Sequence, residues 1–255
     1  MDFDSDSEPE SDGEASPVNR ALIMAASACD LDALRRAIAE GCDVDHRDVR
    51  GDSALHHLCT KSSNPIQCVA ALIGAGADVN LPSALSVYQM PPINSAVRFC
   101  GPEIVKALID AGADVNHTPP EASPLRRAAI FGCDKNVMLL LAAGAVVDAI
   151  APYRRDGVTT LETPLDAAIR FLADQLWRGD YTRTLAHLLR AGARIPTHLD
   201  RLPPYIDKVA LAGGFTLYAR AHRARLAAIF IPTFTQLPAE VVHHIVEIWA
   251  DVGGH

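Results

Sequence analysis

The chain has 255 residues, 49% of them apolar but only 5% aromatic, a balance that supports a real core and favours close-packed short helices over a β-sandwich. Its formal charge of −8 is unevenly placed: residues 1–14 hold seven acids and no Lys or Arg, and the rest balances 24 acids against 23 bases, so the body offers no net field that would gather nucleic acid. The start lacks the basic and apolar regions of a secretory signal, and no apolar run reaches the roughly 18–20 residues of a bilayer span, so a cytoplasmic or nuclear setting with the six cysteines as thiols is expected.

Residues 1–17 read as an acidic disordered tail that repels itself. Within it Ser5, Ser7 and Ser11 each precede a Glu by three residues, a spacing that resembles the acidic consensus of casein kinase 2. Phosphates there would tune partner binding, or the tail serves only to solubilise.

From residue 18 onward the chain repeats itself. One phrase recurs as Gly41-Cys-Asp-Val-Asp45, Gly76-Ala-Asp-Val-Asn80, Gly112-Ala-Asp-Val-Asn116, Gly144-Ala-Val-Val-Asp148 and, degraded, Gly192-Ala-Arg-Ile-Pro196. A second phrase lies upstream of it: Ser53-Ala-Leu-His56, Pro91-Pro-Ile-Asn94, Ser123-Pro-Leu-Arg126 and Thr163-Pro-Leu-Asp166, with Arg20-Ala-Leu-Ile23 as a divergent first copy. Two phrases kept in phase mark a period near 33 with insertions. A Ser or Thr before Pro is a helix N-cap with Pro at the first helical position, small residues then let helices approach closely, and the recurring Gly stops a second apolar helix in the left-handed conformation.

These paired phrases resemble the ankyrin repeat family, over about residues 18–196 in five units: 18–50, 51–90, 91–120, 121–160 and 161–196. The resemblance implies an all-α solenoid of stacked helix-turn-helix units that needs a terminal cap, and a non-enzymatic protein-binding scaffold or adaptor as the function. Three places depart from the pattern: the long connections 81–90 and 149–162, expected as loops, and an insertion around residues 174–184.

The family's binding face is formed by the turn tips and the first helices. Eight residues into successive units stand Ala28, Lys61, Phe99, Phe131 and Phe171, with Arg98, Ile130 and Arg170 one residue earlier in the last three. The three rings either form an exposed ladder of hot-spot candidates or pack on one another and under the long loops. Tip residues Arg47, Asp48, Arg50, Tyr88, His117, Tyr153, Arg154 and Arg155 are further contact candidates, or ordinary solvated turns.

Residues 197–231 read as a helical cap, with Tyr205–Leu211, then Gly213-Gly214, then a helix from Leu217 to Phe230 whose Arg220, His222, Arg223 and Arg225 suit a solvated face better than a phosphate site. Residues 232–255 hold a last amphipathic helix, Leu237-Pro-Ala-Glu-Val-Val-His-His-Ile-Val-Glu-Ile-Trp249. Its opening resembles an F-box, which implies a cullin ligase adaptor as a possible partner for Leu237, Pro238, Glu240, Val241, Ile245 and Trp249; otherwise the helix completes the cap.

Catalytic constellations are not found. Gly74-Ala-Gly76 lacks the Gly-Lys-Ser/Thr of a phosphate loop, and neither a nucleophile elbow nor His-Glu-x-x-His occurs. His56, His57, Cys59 and Cys68 could be imagined around zinc, but the resemblance gives His56 a structural place. No cofactor, metal, membrane or nucleic acid is expected.

Overall fold

The computed structural model describes residues 16–84, 90–117, 123–155, 157–174, 181–196 and 203–233. Five antiparallel helix pairs follow one another: α1 (Pro17–Ala28) with α2 (Leu31–Ala39), α3 (Ala54–Cys59) with α4 (Ile66–Gly74), and α5 (Pro92–Phe99) with α6 (Pro102–Asp110). Then come α7 (Pro124–Ile130) with α8 (Asp134–Ala142), and α9 (Pro164–Asp174) with α10 (Tyr181–Arg190). The odd-numbered helices stack on one another as an inner layer, and the even-numbered ones form an outer layer. The fold is an all-α repeat solenoid.

Stacking is required because each helix is short, six to twelve residues, and helices of that length are marginal alone. Leu22, Leu55, Ile93, Leu125 and Leu165 occupy the same place in successive inner helices and are almost wholly buried. Removing each from water contributes about 1.5–3 kcal/mol. Small side chains follow them, Ala25 and Ala26, Ala96, Ala128 and Ala129, Ala167 and Ala168, all buried where one helix lies against the next.

Each outer helix ends alike. Gly76, Gly112, Gly144 and Gly192 have φ between +88° and +93°, which an L side chain rarely adopts. The N–H of the next residue then reaches back into the helix: Ala77 to Leu72 O, Ala113 to Leu108 O, Ala145 to Leu140 O and Ala193 to Leu188 O, at 2.9–3.0 Å. This is the Schellman closure, and it turns the chain towards the next repeat.

Three departures from the sequence expectations have physical causes. Helix α1 starts at Pro17 behind Ser16, a turn before Arg20, because Pro17 supplies an earlier first helical position; Leu22 still keeps the repeat's phase. The connection 149–162 is not a loop throughout: β1 (Ala151–Arg155) pairs antiparallel with β2 (Val158–Glu162), Arg155 opposite Val158. Asp156-Gly157 is the two-residue hairpin signal that marks it, and Gly157 has φ +80°. The insertion around 174–184 ends earlier than expected, since α10 already begins at Tyr181, whose side chain is buried with Thr184.

Beyond the repeats, α11 (Pro204–Leu211) and α12 (Phe215–Thr233) are joined at Gly213 and Gly214, both with positive φ. Ile206 and Val209 bury fully, Phe215 and Tyr218 pack on the core, and α12 lies against α10. Arg220, Arg223 and Arg225 are exposed. Residues 234–255, with Leu237, Pro238, Glu240, Val241, Ile245 and Trp249, lie outside the described residues, as do residues 1–15 and Tyr88.

Candidate partner-binding surface

Polar side chains at matching places fasten each repeat to the next. The third residue of the inner helix is the first such place. His56 Nδ1 accepts from the Ser53 N–H at 3.2 Å and lies 2.9 Å from Ser53 Oγ, which assigns the ring proton to Nε2, 3.2 Å from Met90 O. Arg126 makes the equivalent step, with Nη2 3.4 Å from Glu162 Oε2. Met90 and Glu162 each stand immediately before the next repeat's opening, so both links brace that opening. Burial holds the His56 imidazole below its ordinary pKa, against the Met90 carbonyl.

Carbonyls near the ends of inner helices also receive donors from the next repeat. Cys100 Sγ lies 3.2 Å from Cys59 O, Asn136 Nδ2 donates to Val97 O at 3.0 Å, and Tyr181 Oη donates to Ile130 O at 2.7 Å. The sequence shows nothing of this, because each donor sits at a different distance along the chain.

A third column runs through the turns that follow the outer helices. Asp45 Oδ1 accepts the Asp78 N–H, Asn80 Oδ1 that of Asp114, Asn116 Oδ1 that of Val146, and Asp148 Oδ1 that of Arg194, at 2.7–3.1 Å, while in the first repeat Asn19 Oδ1, on α1, accepts the Asp43 N–H of its own unit at 2.9 Å. Asn80 and Asn116 also donate, to Gly112 O and Gly144 O. The recurring Asp/Asn positions were visible in the sequence, and their role as an inter-repeat ladder was not.

The inner-helix face carries interleaved arginines and rings. The Arg98 guanidinium lies 4.5 Å from the Phe99 ring centroid and 4.4 Å from that of Phe131, so one cation joins two successive repeats. Arg127 approaches Phe131 at 5.9 Å and donates from Nε to Asn94 O at 2.9 Å. Burial, then the neighbouring Arg98 and Arg126 charges, push the Arg127 pKa down. In the next repeat Arg170 stacks on Tyr153 at 3.6 Å and on Phe171 at 4.5 Å. Its Nε and Nη2 meet Glu162 at 2.8 and 3.0 Å, a bidentate pair around a carboxylate only 6% exposed.

The expected contact residues thus separate into groups. Phe99 is exposed at 38%, whereas Phe131 and Phe171 are half-buried, and Phe171 packs on the core. Arg98, Phe99, Phe131, Arg170, Phe171 and Tyr153 come together in guanidinium–ring contacts. Ile130 and Lys61 are half-buried, with their carbonyls accepting from Tyr181 and Cys100. Arg154 is exposed on the hairpin, and His117 is half-buried.

Arg47 pairs with Ser53 in a short bridge at the first tip. Asp48 fixes that tip, accepting from the Arg50 and Asp52 N–H groups at 2.8 and 3.0 Å and lying 2.9 Å from His57 Nε2. Burial opposes its ionisation, yet the bonds from Asp52, His57 and Arg50 outweigh this and hold the carboxyl below its usual pKa. His57 Nδ1 in turn lies 3.3 Å from Ser27 Oγ, which ties the tip to α1.

The five inner helices contain five arginines (Arg20, Arg98, Arg126, Arg127, Arg170) and two acids (Asp166, Asp174), and the five outer helices six bases (Arg35, Arg36, Lys106, Lys135, Arg183, Arg190) and four acids (Asp32, Glu103, Asp110, Asp134), so both layers carry a small positive excess. Two of the inner arginines, Arg126 and Arg170, are held by the buried Glu162. Among the described residues no helix is long and apolar enough to cross a membrane.

Residues 22–119 match the family model of ankyrin repeats, in three copies. That segment runs from within α1 through α6, and the same stacking continues through α7 to α10. No curated protein matches the chain.

Proposed function

We propose that this chain is a non-enzymatic protein-binding scaffold or adaptor that holds its partner on the inner-helix face and neighbouring turn tips. One observation carries the proposal. Arg98 bridges the rings of Phe99 and Phe131 across two repeats, leaving a partly exposed cation–aromatic surface of the composition that dominates binding energy at interfaces. Ankyrin repeats are generally protein-interaction modules, which agrees with this surface. Tyr153 and Arg170, held by the hairpin and by Glu162, extend it by one repeat.

The guanidinium–ring contacts, and the grip of Glu162 on Arg170, already restrain these side chains, so less of their freedom is lost on binding. Function then consists of presenting a preformed surface, with no chemical step, cofactor or metal assigned. The ligase-recruiting alternative rests on the F-box-like sequence of residues 237–249, which lie outside the described residues.

The test is affinity capture from native lysate with the full chain and with a Phe99→Ala, Phe131→Ala double variant, alongside Lys106→Ala on the outer helix α6. Partners retained by Lys106→Ala but weakened about thirtyfold by the double variant, as loss of a hot spot of about 2 kcal/mol requires, support this face. Partners retained equally by all three would refute it.

A further inference from the structure

We propose that this chain self-associates, a second copy pairing with it antiparallel along the outer edge of β2 about a twofold axis through Thr160, an inference independent of the partner-binding face. A two-stranded sheet has two edges, and here they differ. Arg155 and Val158 flank a two-residue turn and therefore exchange both backbone bonds, as do Tyr153 with Thr160 and Ala151 with Glu162. The residues between them turn their backbone groups outwards: Pro152 and Arg154 on β1, Thr159 and Leu161 on β2.

The edge of β1 is guarded and that of β2 is not. Pro152 has no N–H to offer an incoming strand, and the exposed Arg154 adds a charge beside it; both are devices that keep an edge unpaired. On β2 the residues Val158, Thr159, Thr160 and Leu161 are uncharged, β-branched or apolar, and all exposed, Val158 at 62% and Leu161 at 66%. Among the described residues the backbone groups of Thr159 and Leu161 make no bond beyond the hairpin.

The same edge selects its occupant. Thr163, the next outward position, already gives its N–H to Asp166 Oδ2 at 2.8 Å, so the pairing window holds only Thr159 and Leu161. In an antiparallel pair centred on Thr160, Thr159 faces Leu161 of the second copy and Leu161 faces its Thr159, so each outward N–H meets an outward carbonyl in both directions. Thr160 meets its own counterpart on the axis, a favourable cross-strand pair with no like charges opposed. The four-stranded sheet then ends on two β1 edges, where Pro152 and Arg154 stop further addition, so assembly closes at a dimer. So short an edge buries less than the roughly 1,000 Å² of a stable interface, and a weak dimer with a dissociation constant on the order of 100 μM is expected.

Sedimentation equilibrium of the full chain between about 10 and about 500 μM reads the association directly. It is repeated for Thr160→Lys and Thr160→Glu, each of which opposes like charges on the axis, and for their equimolar mixture, in which the charges are opposite; urea midpoints verify that both variants are folded. The proposal expects the native chain to pass from one towards two monomer masses over that range, each variant alone to dimerise about fivefold more weakly, and the mixture to regain the native affinity, which a variant that had merely unfolded would not do. A native chain that stays monomeric, a variant that alone dimerises as the native chain does, a mixture no tighter than its components, or a mass that climbs past two overturns the pairing. None of these outcomes bears on the Phe99 and Phe131 capture test, whose failure would in turn leave the paired edge standing.

Discussion

Arg170 grips Glu162 through two hydrogen bonds of 2.8 and 3.0 Å while its guanidinium plane lies 3.6 Å from the Tyr153 ring centroid, so one side chain joins the hairpin to the last inner helix. Arg126 lies on the same carboxylate at 3.4 Å. Glu162→Gln would leave two poorly exposed guanidiniums sharing a neutral group, and a cost of about 3 kcal/mol is expected from breaking such a buried pair. Urea denaturation measures it; a loss below about 1 kcal/mol would mean that Glu162 is dispensable to the junction.

Asn80 bonds the next repeat twice, through Oδ1 to the Asp114 N–H at 2.7 Å and from Nδ2 to Gly112 O at 2.9 Å. Asn80→Ala removes both and should destabilise by about 1–2 kcal/mol, whereas Asn80→Asp keeps the acceptor and should cost less. Because repeats are coupled through neighbours, the lesion should also broaden the unfolding transition by uncoupling the units on either side. Hydrogen exchange at the Asp114 amide reads the coupling directly, and unchanged protection in Asn80→Ala would show that the ladder contributes nothing.

Much of the scaffold was legible because its signals are local. Ser123-Pro124 and Thr163-Pro164 open helices through caps within their own turn, and Gly76 or Gly112 closes one by backbone geometry that needs no distant partner. The hairpin was equally local, in Asp156-Gly157, but the length of the connection suggested a loop. What stayed hidden depends on how far each repeat rotates against the next. Tyr181 meets Ile130, 51 positions away, by an offset that the period near 33 does not encode, and although Arg98 and Phe131 stand 33 positions apart, the period alone does not say that the guanidinium reaches that ring. For the same reason Phe99, Phe131 and Phe171, equivalent in sequence, differ in exposure.

Cys100 should be slow to alkylate. Burial pushes its thiol up to about 11, with the neighbouring Cys29 adding to the rise, and its Sγ sits against the Cys59 and Lys61 carbonyls at 3.2 and 3.4 Å. At pH 8 the thiolate fraction is then roughly two-hundredfold below that of an unfolded cysteine near 8.5. Iodoacetamide labelling followed by peptide mass spectrometry compares native with urea-unfolded protein at this site. Equal rates in the two states would contradict the buried, carbonyl-facing placement.

His56 predicts how stability responds to pH. Its folded pKa is lowered by burial, so between that value and about 6.5 the unfolded chain binds more protons than the native one, and stability rises with pH. The contribution is complete above about pH 6.5 and is lost as pH falls below it, a window separate from that of Asp48, whose depressed carboxyl acts only below about pH 4. Protonation at Nδ1 would also abolish acceptance from the Ser53 N–H, while Nε2 goes on donating to the Met90 carbonyl. His56→Asn should lower stability at pH 7.5 by about 1–2 kcal/mol through the lost inter-repeat bond, and should flatten the step between pH 7.5 and 5.5. Urea midpoints across that range decide the matter, since an unchanged step in His56→Asn would assign the pH response to a different group.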